Sequence, residues 1–147
     1  MREINISESD YLWHMATIQE HMLDKFEAHY HASSLSIALR YEMIVSRLQN
    51  DKDKIYIIEE HQQLIAFIWA HLDKVTMNVQ IEMLYVNEWY RSRGLATQLK
   101  KQVEQWGIEH HAKQISGTIN STNEDMIALN NHLGYDVSHV IMTKHLT

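Results

Sequence analysis

The 147-residue sequence contains no cysteine, no proline and only four glycines. Without cysteine, the chain has no disulfide, no thiolate nucleophile and no zinc–thiolate site. The longest apolar run, from Leu64 to Ala70, is far shorter than the roughly 20 residues that a membrane-spanning helix needs. The amino terminus lacks the apolar core of a signal peptide. We therefore expect a cytoplasmic protein that has no membrane partner.

Positive charge is also scarce. Thirteen basic residues stand against nineteen acidic ones, which gives a net charge of −6 and no long basic run. This balance argues against a nucleic-acid partner, because binding to the phosphate backbone depends on clustered Lys and Arg. Neither His29 with His31 nor His110 with His111 has the i, i+4 spacing of helical zinc ligands, so we expect no metal site. The length fits a single domain over residues 1–147.

Hydrophobic periodicity predicts a mixed α/β fold. Apolar residues recur at three- and four-residue steps where one helix face is buried, and they alternate with polar residues where a strand is half-buried. The predicted elements are a strand at 3–7, helices at 11–26 and 33–50, strands at 54–59, 64–71 and 75–86, a helix from 95 ending at Gly107, a strand at 114–119, a short helix at 123–133 and a closing strand or hairpin at 135–144. The middle three strands should form an antiparallel meander.

One segment has the pattern of an anion site. After the strand that ends at Val86, the chain turns through Gly94 into a helix, and such a turn exposes backbone N–H groups at the positive end of the helix dipole. Arg91 and Arg93 add positive charge, and Thr97 adds a hydroxyl. A glycine at a strand-to-helix turn is also often a plain packing device. The segment lacks the glycine and lysine pattern of nucleotide-binding loops, so nucleotide hydrolysis and hydride transfer are poorly supported.

The same segment resembles a known motif. Residues 91–96, Arg-Ser-Arg-Gly-Leu-Ala, resemble the Gln/Arg-x-x-Gly-x-Gly/Ala motif of the GNAT superfamily of acyl-CoA-dependent N-acyltransferases. Residues 81–86 are similar to the fourth strand of that family, and residues 123–135 resemble its later Asn-x-x-Ala/Met-x-x-x-Asn/Tyr-x-x-x-Gly-Phe/Tyr segment. The resemblance implies a central, mostly antiparallel twisted sheet with splayed fourth and fifth strands, flanked by about four helices.

The resemblance also implies the ligand, which would be acetyl-CoA as co-substrate. Its pyrophosphate would lie on the backbone amides of the loop, its pantetheine along the fourth strand, and its thioester end near two asparagines. The implied binding residues are Leu84, Val86, Arg91, Ser92, Arg93, Gly94, Leu95, Ala96, Thr97, Asn123 and Asn130. Backbone groups of Leu84 and Val86 would bind the pantetheine amides as an added strand does.

Catalysis needs a base, since an alkylamine with a pKa of about 10.4 is mostly protonated at neutral pH. Glu82 lies where several family members present a glutamate, and it could act directly or through water. Glu82 could instead be a solvated strand residue or a salt-bridge partner. The N–H of Leu84 could stabilise the oxyanion. Asn130 stands where many members carry a tyrosine that protonates the departing thiolate, and an amide cannot act as that acid.

The sequence therefore predicts an N-acetyltransferase that moves an acetyl group from acetyl-CoA to a primary amine of a small molecule or protein. Transfer would be direct, because no cysteine is available to form an acyl-enzyme. The alternative is a regulatory or interaction module that binds acyl-CoA and has little transferase activity. The family resemblance also allows a homodimer.

Overall fold

The computed structural model describes all residues from 1 to 147, which form two compact units at 1–117 and 118–147. The first unit contains five strands and three helices, and the second contains one helix. In chain order the elements are β1 (Arg2–Glu3), α1 (Ser9–Phe26), α2 (Ser34–Leu48), β2 (Asp53–Glu60), β3 (Gln63–Asp73), β4 (Asn78–Val86), a single 3₁₀ turn (Glu88–Tyr90), α3 (Leu95–Glu109), β5 (Gln114–Gly117) and α4 (Glu124–His132).

The five strands form one mixed sheet in the order β1-β2-β3-β4-β5. The first three pairings are antiparallel, and β4 pairs in parallel with β5. The parallel pairing covers only Asn78 to Ile81, opposite Gln114 to Gly117. From Glu82 onward β4 has no strand on that edge, as expected for a splayed fourth and fifth strand. The predicted mixed fold with four helices is confirmed.

A β-bulge interrupts the pairing of β3 with β4. Trp69 pairs with Met83, but the next residue, Ala70, pairs with Ile81, so Glu82 is the extra residue on β4. A bulge of this kind changes the direction in which the neighbouring side chains point. Met83 packs in the apolar cluster beneath α1 and α2, and Glu82 contacts α2 as well. The bulge therefore directs two consecutive side chains of β4 to the same side of the sheet.

Each face of the sheet carries its own apolar core. Beneath α1 and α2 the buried side chains include Leu12, Met15, Ile44, Ile55, Ile57, Phe67 and Trp69, and beneath α3 they include Ile68, Leu72, Val79, Leu99, Val103 and Trp106. Alternation along β2 and β3 produces both sets, because successive residues of a strand point to opposite faces. This two-sided burial explains why β3 reads as a nearly continuous apolar run.

Non-glycine residues occupy several tight turns of this glycine-poor chain. His61 and Gln62 join β2 to β3 with φ angles of 51° and 62°, the positive values that a two-residue type I′ turn requires. Met77, Ser92 and His111 also have positive φ. His111 follows the end of α3, whereas the predicted stop at Gly107 is wrong. A Cβ on Gly107 would lie 3.1 Å from Val79 Cγ2, so this glycine permits close packing of α3 on β4.

The first and the last predicted strands differ from the structure. The first strand covers only Arg2–Glu3, although the backbone N–H of Ile4 still donates to Ile55 at 2.9 Å. The closing strand or hairpin predicted at 135–144 is absent, because these residues have no regular secondary structure and join no sheet. Val137, Val140 and Ile141 are at least three-quarters exposed. Their strand-like pattern has no backbone partner to pair with, and a strand forms only where one is available.

A buried carboxylate connects α1 to α2. The Glu20 side chain is 1% exposed and accepts hydrogen bonds from Tyr30 and, at 2.9 Å, from Arg40. Burial raises the pKa of Glu20, but hydrogen bonds from Ser36, Tyr30 and Arg40 outweigh that effect, so its pKa lies below the usual value. A buried carboxylate with this many donors stabilises the helix pair in its charged form.

We expect Glu20→Gln to lower the free energy of unfolding at pH 7 by about 1–3 kcal/mol, because it removes a buried charge partner of Arg40. Since the folded pKa is depressed, the ionised group stabilises the fold above its unfolded pKa of about 4.3, and this contribution is lost as the pH falls through the folded value. Urea denaturation should show the gap between wild type and variant closing below about pH 4.

The control is Asp51→Asn, which removes an exposed ion pair with Lys74 and should change stability by less than about 1 kcal/mol. Equal losses in the two variants would contradict a stabilising role of the buried Glu20 pair.

Candidate active site

The loop between β4 and α3 is shaped by two residues in the left-handed region. Ser92 has φ 63° and Gly94 has φ 79°. Gly94 is the N-cap of α3, and the first helical hydrogen bond runs from the N–H of Gln98 to its carbonyl at 3.0 Å. No side chain caps this helix. The N–H groups of Leu95, Ala96 and Thr97 therefore lie at the positive end of α3 without an intrahelical acceptor.

The side-chain position of Gly94, at the start of α3, is open. A Cβ built on Gly94 meets no heavy atom within 4 Å. The glycine therefore leaves room for an anion beside the uncapped amides, and its positive φ is the conformation that glycine adopts without strain. The structure thus has the local geometry that the sequence predicted at residues 94–97.

The two arginines of the loop have different partners. Arg91 Nε donates to the carbonyl of Val86 at 3.2 Å, so this side chain joins the loop to the end of β4. The Arg93 guanidinium lies over the ring of Tyr90, 5.1 Å from its centroid. Asn87 starts the intervening 3₁₀ turn by accepting a hydrogen bond from Trp89 N at 3.0 Å. Both arginines contribute positive charge to the loop that precedes the uncapped end of α3.

The open edge of β4 leads to this loop. The N–H of Asn87 donates to Ile65 on β3, and backbone groups alternate in direction along an antiparallel strand. The backbone groups of Leu84 and Val86 therefore point to the other edge, where no strand pairs with β4. An extended ligand that carries amide groups can add to such an edge as a strand does.

Glu82 belongs to a cluster of charged and aromatic side chains on the α1 and α2 side of the sheet. Arg47 on α2 places Nη2 3.0 Å from Glu82 Oε1 and 3.0 Å from Asp53 Oδ2. Its guanidinium lies 4.7 Å from the centroid of the Trp69 ring. The Asp53 side chain is fully buried, with Trp69 Nε1 donating to it at 2.8 Å and His71 Nδ1 lying at 2.7 Å. Glu82 is thus a salt-bridge partner, and its side chain remains 28% exposed.

Sequence reasoning missed Arg47 and Asp53. Arg47 lies 35 residues before Glu82, on a helix where an arginine usually marks the solvent side. Asp53 lies one residue before the strand predicted at 54–59, and it begins β2 in the structure. A single sequence carries no signal for such a pairing, since it arises only when α2 packs on the sheet.

The two predicted asparagines lie in the second unit. The Asn123 side chain caps α4 by accepting a hydrogen bond from Met126 N at 3.2 Å. Asn130 is 8% exposed, its carbonyl accepts from the N–H of Tyr135 at 2.9 Å, and its side-chain Oδ1 has no hydrogen-bond partner. Buried polar atoms normally have a partner, so Asn130 Oδ1 is an exception.

No three His, Asp or Glu side chains are grouped so that they could hold a metal ion. None of the helices is long and apolar enough to cross a membrane.

Comparison with known proteins gives a consistent family. The sequence model described as the acetyltransferase (GNAT) family matches residues 15–135. A Staphylococcus aureus protein assigned to the GNAT family of acetyltransferases is 49% identical, and the match covers 80% of this chain and 98% of that chain with a TM-score of 0.76. No curated protein sequence matches.

More distant structures share the fold. A mutant of the BH1408 protein of Bacillus halodurans is 18% identical, with 99% of this chain and 98% of that chain covered and a TM-score of 0.81. The aminoglycoside acetyltransferase AAC(6')-Iy, in complex with the bisubstrate analogue CoA-S-monomethyl-acetylneamine, is 20% identical, with 99% and 96% covered and a TM-score of 0.70. The sequence match over residues 15–135 goes beyond the fold, and the chain belongs to the acetyltransferase (GNAT) family.

Proposed function

We propose that the protein transfers the acetyl group of acetyl-CoA to a primary amine of a small molecule or protein, by direct attack and without an acyl-enzyme. The observation that carries the proposal is the junction of the open β4 edge with the uncapped N-terminus of α3. One extended ligand with amide groups at one end and a pyrophosphate at the other matches both features. The distant structural neighbour AAC(6')-Iy has been crystallised with CoA, which has this form.

In this proposal the pyrophosphate accepts hydrogen bonds from the N–H groups of Leu95, Ala96 and Thr97 beside Gly94. Ser92 and Arg93 contribute the preceding turn and positive charge, while Arg91 keeps the loop against Val86. The pantetheine amides bind the backbone of Leu84 and the N–H of Val86, whose carbonyl already accepts from Arg91. Asn123 and Asn130, which lie in the second unit, are further proposed ligand-binding residues.

Glu82 is the proposed general base. It accepts a proton from the acceptor ammonium, directly or through water, and the neutral amine then attacks the thioester carbonyl. The new C–N bond forms and the N–H of Leu84 stabilises the oxyanion. The nitrogen then loses its second proton to water, and the C–S bond breaks as the carbonyl is restored. The thiolate of CoA leaves and takes a proton from solvent, since Asn130 has no acidic proton to donate.

The amide at Asn130 also favours a second candidate. A chain that lacks an acid at this position could bind acyl-CoA as a regulatory or interaction module and transfer it poorly. The two candidates agree on ligand binding at the loop and differ in turnover, so binding and turnover are tested separately.

Binding is tested by thermal unfolding. Acetyl-CoA at one hundred times its dissociation constant adds about 2.7 kcal/mol to stability, which we expect to raise Tm by roughly 5–10 °C. Gly94→Glu should abolish this rise, because it places a carboxylate, which repels the pyrophosphate, at the N-cap position next to the uncapped amides.

Gly134→Glu is the matched control. Gly134 has φ 90° and equally open surroundings, so the substitution introduces the same charge and similar backbone strain after α4. We expect its acetyl-CoA shift to be retained. An undiminished shift in Gly94→Glu would overturn binding at the loop.

Turnover is tested by CoA thiol release with a panel of primary amines. Glu82→Gln should lower kcat/KM about 10²- to 10⁴-fold, the range for a lost general base, while the acetyl-CoA shift in Tm stays unchanged. Glu88→Gln removes the same charge from the nearby 3₁₀ turn and should stay within about twofold of wild type.

Two results would count against this mechanism. Full activity of Glu82→Gln would exclude Glu82 as the base. Acetyl-CoA binding without thiol release for any amine would favour the regulatory module.

A further inference from the structure

Arg47 contacts two carboxylates, and the proposed reaction gives Arg47 no role. Its single Nη2 atom contacts two carboxylates, one buried at Asp53 and one half-exposed at Glu82. We propose that Arg47 is a positioning residue that orients the Glu82 carboxylate for proton transfer, and that buried Asp53 fixes Arg47 in place. This inference rests on the proposed function, because it assigns Arg47 a role through Glu82.

Asp53 is a rigid anchor. It is fully buried, and both of its oxygens are engaged, Oδ2 by Trp69 Nε1 at 2.8 Å and Oδ1 by His71 Nδ1 at 2.7 Å. Trp69 and His71 lie on β3, beside the β2 strand that carries Asp53. Since a buried charge needs its partners, the carboxylate cannot turn away from Arg47 without losing these contacts.

The Trp69 ring restricts the guanidinium further. The Arg47 Cζ atom lies 4.7 Å from the ring centroid, within the range of a cation–π contact. Trp69 also pairs with Met83, next to the bulge residue Glu82. The ring therefore holds the Arg47 guanidinium next to Glu82. A planar guanidinium stacks on an aromatic ring better than the ammonium group of a lysine does.

Glu82 is held by one oxygen only. Oε1 accepts the hydrogen bond from Arg47 at 3.0 Å, and the carboxylate has no other hydrogen-bond partner. Oε2 is therefore open to accept a proton from the amine or from a bridging water. A carboxylate at a bulge on an open strand would otherwise sample several rotamers, and catalysis is sensitive to displacements of about 1 Å.

A purely structural role for Arg47 gives a different expectation. If Arg47 only joined α2 to the sheet, its loss would impair the enzyme by the same factor whether or not Glu82 were present. If Arg47 acts through Glu82, its loss should have little effect once Glu82 is gone. A double-mutant cycle separates these cases.

The test measures kcat and KM for Arg47→Met, Arg47→Lys, Glu82→Gln and the double variants, using an amine that wild type acetylates. We expect Arg47→Met to lower kcat about 10- to 100-fold with Glu82 present and less than about twofold in the Glu82→Gln background. KM for acetyl-CoA should stay within about twofold in every variant, and Arg47→Lys should recover part of kcat. If Arg47→Met fails to fold, Arg47→Lys supplies the same cycle.

Arg40→Gln is the matched control on the same helix. Arg40 also pairs with a buried carboxylate, Glu20, but it has no contact with Glu82. This variant reports the effect of weakening the attachment of α2, and we expect kcat within about twofold of wild type in both backgrounds.

A spectroscopic readout is independent of turnover. The chain has four tryptophans, and the indole N–H signal of Trp69 can be assigned with Trp69→Phe. Glu82→Gln should shift this NMR signal when Arg47 is present and leave it unchanged in Arg47→Met.

Equal fold-losses from Arg47→Met in both backgrounds, or no loss in either, would overturn the role of Arg47 and leave Glu82 as the base. Full activity of Glu82→Gln would instead overturn the base assignment and the inference with it. The two failures are therefore distinguishable.

Discussion

Half of β4 has no neighbouring strand on one edge, and this constraint shapes the site that we propose for the acyl donor. The parallel pairing with β5 ends at Ile81, so the backbone groups beyond it need another partner. The bulge at Glu82 begins at the same point, and the loop before α3 begins where the unpaired segment ends. The proposed acyl-donor site and the proposed base both lie on the part of β4 that follows this point.

The charged groups near the sheet are arranged by burial. Asp53 and Glu20 are the deeply buried carboxylates, and each is paired with an arginine of α2, seven residues apart. Removing one partner of such a pair leaves the other charge buried and uncompensated, so each pair holds its two elements together. Through Glu20 the helix is set against α1, and through Asp53 it is set against β2. The attachment through Asp53 determines where Arg47 meets Glu82.

Much of the fold could be predicted from the sequence, because long helices and the strand meander carry clear hydrophobic periods. The turn at Gly94 was predicted for the same local reason. The contacts of Glu82 could not be predicted, since Arg47 and Asp53 reach it only through tertiary packing and a bulge that no short pattern encodes. Gly107 was predicted to end a helix, but it permits close packing against Val79. The alternation after Tyr135 predicted a strand, but such a pattern does not show whether a neighbouring strand is available for pairing.

Because the chain has few glycines, residues with a Cβ adopt positive φ angles in its surface turns, and this strains the backbone there. His61 and Gln62 adopt left-handed angles in the turn between β2 and β3, where a residue with a Cβ is disfavoured by about 1–2 kcal/mol. An Asn-Gly pair has the intrinsic preference for this turn. The β2–β3 hairpin thus forms although its two turn residues disfavour the turn. Substitution of these two residues by Asn-Gly should raise thermal stability and leave the core and the proposed site unchanged.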